Sequence, residues 1–285
     1  VWTVSVQRLL AGSRPTVGRM RVECVGDGAP EVAVVGGIHG DEPCGVRAVE
    51  RLISRSPSFT RPVAFVVANE AALDRSVRYV DEDLNRAFPG DSNGDTLESR
   101  LADKLRATVG DCLTLSLHST QSYDRPFGIV DGVDEFARQV APSLSLSALV
   151  EAGRFDRGRI FEAVPDTIEV ECGFQGSEAA ADNATRVATE FLAAVEAIDP
   201  GAVDVSACER RALPVYRLGE RLGKEPGERY QVHAPNFEEV AAGEMYASVD
   251  GEPRCAADPF YPVLLSADGY ENQFGYTAEY VTSIE

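Results

Sequence analysis

Three histidines occur in 285 residues, and two of them stand where a metal ligand would be wanted. His39 lies in Gly36-Gly37-Ile38-His39-Gly40-Asp41-Glu42, directly after an apolar, β-rich run, and His118 lies in Leu117-His118-Ser119-Thr120, at the end of another. Two residues separate His39 from Glu42, close enough on one turn for both to grip a single ion. With His118 they make a His₂Glu set, the three-ligand pattern of catalytic zinc, one per chain, with a fourth position open to water; a structural site is normally closed by four ligands. On spacing alone Asp41 could replace Glu42. A lone histidine at a strand end is more often a hydrogen-bonded core or surface residue, but two of three beside a carboxylate weigh against that reading.

A metal-activated water needs a base, and a carboxylate near the metal is the usual one. Glu171 is expected to end the strand Ile168-Glu169-Val170-Glu171, just before Cys172-Gly173-Phe174-Gln175-Gly176. Glu169 points to the same side of that strand and remains the alternative. Glu171 is preferred because it lies nearer the carboxyl end and the glycine turn. A third segment, Arg78-Tyr79-Val80-Asp81-Glu82-Asp83-Leu84-Asn85-Arg86-Ala87-Phe88-Pro89-Gly90, combines two arginines with three acids. Either the arginines pair with Asp81, Glu82 and Asp83 on a solvated loop, or an arginine fork binds a substrate carboxylate. A second arginine could then hold a developing oxyanion.

The elements that must position these groups read as an α/β fold. Short apolar runs at 32–37, 62–68, 112–117 and 167–171 have the composition of strands buried on both faces. Apolar residues recur at helical spacing over 43–52, over Leu97–Val109 and over 179–198. Strands alternating with helices predict a mostly parallel mixed sheet with helices on both faces, and functional groups in such sheets collect at the carboxyl ends of the strands. Asp199-Pro200-Gly201 breaks the pattern. Beyond it, short strand candidates separated by Gly and Pro predict a small β-rich domain over 201–285, capping a catalytic domain over 1–200.

Composition narrows the function classes. Acidic residues outnumber basic ones 46 to 27, a net charge of −19, which argues against general nucleic-acid binding. Only Lys104 and Lys224 are lysines; the other basic residues are arginines. An acidic, lysine-poor surface fits a halophilic protein whose self-repulsion is screened by salt, while an arginine-rich codon bias is the plainer reading. No run of about 18 apolar residues is present, so no membrane span is expected. The start, Val1-Trp2-Thr3-Val4, has no basic region leading into an apolar run, so no secretion signal is expected. Six scattered cysteines without a C-x-x-C pair predict reduced thiols and a cytoplasmic location. A homo-oligomer is compatible with all of this.

Taken in order, G-G-x-H-G-D-E, R-Y-x-D-x-D-L-N-R-x-F, L-H-S-T and E-x-G-x-Q resemble the succinylglutamate desuccinylase/aspartoacylase family, within the wider zinc-carboxypeptidase fold group. The likeness continues through His233-Ala234-Pro235-Asn236-Phe237, then Tyr261-Pro262-Val263 followed by Tyr270-Glu271, and so runs from about residue 34 to 274. The resemblance implies a zinc-dependent amidohydrolase acting on a small anionic N-acyl acidic amino acid, of the N-acetylaspartate or N-succinylglutamate kind. It implies His39, Glu42 and His118 as zinc ligands, Glu171 as base and acid, and Arg78 as the carbonyl-polarising group. It further implies that Asn85 and Arg86 bind a substrate carboxylate, that Tyr270 closes over the substrate, and that His233 is structural. Aspartoacylases also use an arginine shortly before the catalytic glutamate strand; here Arg154, Arg157 and Arg159 are all candidates. Two other readings stay open, a metallocarboxypeptidase-type hydrolase of small peptides and a non-catalytic small-molecule binder.

Overall fold

The computed structural model describes residues 7–8, 19–55, 57–153, 157–199 and 210–285. The first four residues, Arg154 and the expected domain boundary at 200/201 lie outside the described residues. In chain order the elements are β1 (Gln7–Arg8), β2 (Arg21–Val25), β3 (Val32–Gly36), α1 (Cys44–Arg55), β4 (Val63–Val67), α2 (Glu70–Arg75), α3 (Leu97–Val109), β5 (Leu113–Thr120), β6 (Phe127–Val130) and α4 (Glu135–Val140). They continue with β7 (Leu149–Glu151), β8 (Thr167–Phe174), α5 (Glu178–Ala194), β9 (Leu213–Gly223), β10 (Tyr230–Val232), β11 (Met245–Val249), β12 (Glu252–Cys255), β13 (Tyr261–Val263) and β14 (Gln273–Ile284).

Eleven strands form one mixed sheet in the order β1-β2-β4-β3-β5-β8-β6-β7-β9-β14-β13. Its centre, β4-β3-β5-β8, is parallel throughout. Every residue of β3 and β4 is buried because the pleat feeds two cores. Val32, Val34, Val63, Phe65 and Val67 pack with α1 and α5 on one face. Ala33, Val35, Ala64 and Val66 pack with Leu97, Leu101 and Leu105 of α3 on the other. A parallel sheet needs this double cover, and the apolar stripes of α1, α3 and α5 supply it. Thr96 caps α3 and Ser177 caps α5, each accepting from the backbone N–H three residues on.

The C-terminal region departs from a set of short strands. β9 and β14 are long antiparallel partners, and β9 also pairs in parallel with β7. They therefore extend the main sheet, and only β10-β11-β12 forms a separate sheet. Glycine and proline inside these strands mimic turn signals but sit at irregular register: β9 and β14 shift register at three places, and Gly219 lies so close to Thr277 that an added Cβ would come within 2.5 Å of its hydroxyl oxygen. Asn236 pins this region to the loop after β5, donating to the Ser122 and Leu265 carbonyls and accepting from Leu265 N. Among the described residues no helix is long and apolar enough to cross a membrane.

Candidate active site

Parallel strands β3, β5 and β8 carry their polar groups to one end of the sheet. The loop after β3 turns at Gly37 (φ +67) and passes so close to α2 that a Cβ on Gly40 would lie 2.1 Å from the Ala72 backbone; the two glycines are required, the first for its left-handed backbone and the second for space. His39 and Glu42 emerge from this loop. His118 meets them from β5, and ligand atoms of the three lie within 4.8 Å of one another. All three side chains are buried. Glu42 directs one oxygen to His39 Nδ1 at 2.8 Å and the other to His118 Nδ1 at 3.2 Å. The Ser119 amide donates to that second oxygen as well.

Electrostatics fit a cation here. Burial pushes the Glu42 carboxyl towards neutrality, but the charge of His39 and hydrogen bonds to both rings hold it well below the usual range. Burial likewise favours neutral His39, yet the charge of Glu42 and the hydrogen bonds that the ring donates to Asp83 and Glu42 raise its pKa to about 9. A site that retains a proton so strongly demands positive charge, and two imidazoles with one carboxylate are a donor set suited to a divalent ion of the zinc type.

Orientation comes from a second layer of contacts. Asp83 accepts from His39 Nε2 at 3.0 Å with one oxygen, and from Arg78 Nε and Nη2 at 3.1 and 3.0 Å with the other. Arg78 also donates to Glu42 at 3.0 Å. Ser116, on the same face of β5, bonds His118 Nε2 at 3.1 Å. Such partners fix the ring plane and tautomer of a ligating histidine. The loop bearing Arg78 and Asp83 is itself staked to the start of α3. Asp81 accepts from Leu97 N, Glu82 from the Thr96 hydroxyl, and buried Glu98 from Val80, Asp81 and Glu82 N and from Asn69 Nδ2. The three acids between the arginines thus have three different tasks.

The two carboxylates of β8 are not equivalent. β8 continues past Glu171 to Phe174, and Glu171 is flanked by His118 on one side and Phe127 on the other; it is an interior strand residue, not a strand end, because pairing to β5 and β6 persists there. Likewise His118 lies inside β5, which runs on to Thr120. Glu169 accepts from Asn85 Nδ2 and Arg159 Nη1, both at 2.8 Å. Glu171 Oε2 is buried with no hydrogen-bond partner among the described residues. Burial, followed by the charge of Glu42, raises its pKa to about 7.

One cleft gathers the groups singled out in the sequence: His39, Glu42 and His118, Glu171 and Glu169, Arg78, Asn85, Arg86 and Tyr270 all line it. Asn85 is largely committed within the protein, since its Oδ1 also accepts from Ile160 N at 3.0 Å. Of the three candidate arginines before β8, Arg159 lines the cleft and Arg157 is exposed. His233 lies at the small sheet, bonded to Ser248 Oγ at 2.9 Å. Asp83, Ser116, Glu98 and Asn69 went unrecognised in the sequence; only the D-x-D spacing hinted at Asp83.

A buried cluster of metal-ligand type, an unpaired carboxylate and several guanidinium groups in one cleft are the parts with which a metal-dependent hydrolase works. Residues 28–125 match the family described as the succinylglutamate desuccinylase/aspartoacylase catalytic domain. It is 26% identical over 267 residues, 84% of each chain, to an N-acyl-aromatic-L-amino acid amidohydrolase (carboxylate-forming) of Xenopus laevis. A succinylglutamate desuccinylase of Pseudomonas aeruginosa is 34% identical over 103 residues, 28% of this chain and 31% of that one. The crystal structure of a succinylglutamate desuccinylase/aspartoacylase from Rhodobacter sphaeroides superposes with a TM-score of 0.71 at 19% identity, covering 93% of this chain and 89% of that chain.

Proposed function

We propose that the protein is a zinc-dependent amidohydrolase that removes the acyl group from a small N-acyl amino acid with an acidic side chain. One observation carries this reading: the unpartnered oxygen of Glu171 belongs to the same cleft as the His39-Glu42-His118 cluster and Arg86. Zinc held by His39, Glu42 and His118 would supply Lewis acidity, lowering the pKa of a water towards roughly 7 and polarising the acyl carbonyl. Glu171 takes the proton from the attacking water and passes it to the leaving amine. A base poised near neutrality suits both transfers. Glu169 has its two oxygens engaged by Asn85 and Arg159 and is less free to receive a proton from water.

Arg78, fixed by Glu42 and Asp83, offers its remaining N–H groups to the oxygen that gains charge. Arg86 and the free N–H of Asn85 take the substrate carboxylate, and Tyr270 covers the bound molecule from the 201–285 region, which we assign as the cap. Among the described residues Leu264 is the one aliphatic side chain that lines the cleft, a lining that favours an acidic or polar substrate over an aromatic one. The free thiols of the described cysteines suit the cytoplasm, and the acidic composition suits a salt-rich one.

Zinc analysis followed by hydrolysis assays on N-acetyl-L-aspartate, N-succinyl-L-glutamate, N-acetyl-L-phenylalanine and a dipeptide tests the reading. Turnover confined to the first two supports it. Preference for the dipeptide would return the peptidase reading, and zinc-loaded protein inert on all four would leave a binding protein.

A further inference from the structure

The chain uses arginine at nearly every basic position, and Lys224 is one of only two exceptions. Its surroundings account for the exception. The ammonium donates to the carbonyl oxygens of Ala267, at 2.6 Å, and of Tyr270. It also lies 5.0 Å from the ring centroid of Tyr230 and 5.5 Å from that of Phe274. The Lys224 backbone N–H donates to the Asn272 carbonyl at 3.0 Å. A compact ammonium with three donors can face two carbonyls and two aromatic rings at once, whereas the planar guanidinium of arginine fixes its donors in a flat fork.

The segment gripped in this way carries Tyr270. Residues 266–272 lie between β13 and β14. At the near end the Ser266 hydroxyl accepts from the Asp268 and Gly269 amides at 3.2 and 3.0 Å. At the far end Lys224 joins the two carbonyls across the turn. The Tyr270 ring stands edge-on to buried Tyr276, at 6.4 Å and 87°, and with Ser266 and Gly269 lines the cleft.

The geometry points to Lys224 as a positioning residue: through the Ala267 and Tyr270 carbonyls it holds the Tyr270 ring over the substrate and links the small β10-β11-β12 sheet to the active site. This rests on the reading of Tyr270 as a substrate-covering residue. It adds a residue outside the cleft whose loss weakens substrate binding while leaving the metal and the base in place.

The test uses full-length, zinc-loaded protein with N-acetyl-L-aspartate and N-succinyl-L-glutamate as probes, comparing Lys224→Met, Lys224→Gln and Lys224→Arg with the parent. Each variant is expected to raise KM about tenfold with kcat within about twofold and zinc content unchanged, since the lost contact is one made equally to ground and transition states. Arginine should not rescue. Combining Lys224→Met with Tyr270→Ala should raise KM no further than Tyr270→Ala alone, because both act through one ring. Hydrogen exchange of 266–272 should quicken in every Lys224 variant. Unchanged exchange there, rescue by arginine or additive KM effects would each overturn the proposal. Should the parent hydrolyse neither probe, the assignment of activity fails, while the exchange measurement still decides whether Lys224 holds the segment.

Discussion

Glu98 offers the sharpest test of how the catalytic loop is held. Its buried carboxylate receives four N–H donors: Asn69 Nδ2 at 3.0 Å and Val80 N at 2.7 Å on one oxygen, Asp81 N at 3.1 Å and Glu82 N at 3.3 Å on the other. The side chain has no exposed surface, and its hydrogen-bond partners among the described residues are all neutral, three backbone amides and the Asn69 side-chain amide. In Glu98→Gln one oxygen becomes an NH₂ group. Whichever way the amide turns, two donors lose their acceptor and face another donor. At about 1–3 kcal/mol for each buried donor left unsatisfied, the substitution should cost about 2–6 kcal/mol. For a chain of this size that corresponds to a fall in Tm of roughly 5–20 °C. The loop released carries Arg78 and Asp83, so kcat/KM should fall more than the folded fraction does. Urea unfolding of zinc-loaded parent and variant reads the first effect, and assays well below the variant's Tm read the second. A variant within about 1 kcal/mol of the parent, with normal kcat/KM, would mean the loop holds its shape without Glu98.

Glu171→Gln should lower kcat by at least about a hundredfold while retaining zinc; an active, zinc-replete variant would hand the base role to Glu169. His118→Ala should lose the metal, read by elemental analysis after dialysis, because two ligands cannot retain zinc against buffer. Arg86→Ala should raise KM for anionic probes by about tenfold or more, and an unchanged KM would remove Arg86 from the site. In metal-free protein Glu171, at about 7 against an ordinary 4.5, contributes stability that is full below about pH 4.5 and lost as pH rises through 7. Glu171→Gln should therefore match the parent at pH 4.5 and exceed it by about 3 kcal/mol at pH 8 in chelator, measured by urea unfolding. If the acidic surface is an adaptation to salt, Tm should rise steeply between low and molar KCl; a flat response would leave only a codon bias.

The elements that were legible in the sequence were those with an unambiguous pattern. The all-apolar runs of β3 and β4 and the helical spacing of Leu97, Leu101 and Leu105 could be buried in only one way. β6 and β7 are four and three residues long, too short to display a period, and went unread. β9 and β14 read in the sequence as several short strands because their glycines and prolines carry the same local signal as turns, and only long-range pairing distinguishes the two. The candidate site followed the same rule. His39, Glu42 and His118 could be grouped because histidine is scarce, whereas Asp81, Glu82 and Asp83 could not be told apart. Adjacent acids between two arginines suggest ion pairing, and nothing local reveals that one meets a helix start, one a threonine and one a histidine.

Charge gives a reason why these particular groups belong together. Asp41, Glu42, Glu169 and Glu171 line the cleft with Arg78, Arg86 and Arg159, and Asp83 adjoins it through His39 and Arg78. Five carboxylates against three guanidiniums leave an excess of two negative charges when both histidines are neutral. Burying such an excess is costly, and without a cation the protein offsets part of it by retaining protons, as the raised values of His39 and Glu171 record. A divalent ion held by His39, Glu42 and His118 would cancel that excess and favour release of both protons, leaving Glu171 ionised for the base role proposed above. The same balance would let a chain of net charge −19 receive an anion: with a divalent ion the cleft would be near neutral overall, and Arg86, which lines it, is the proposed contact for the substrate carboxylate.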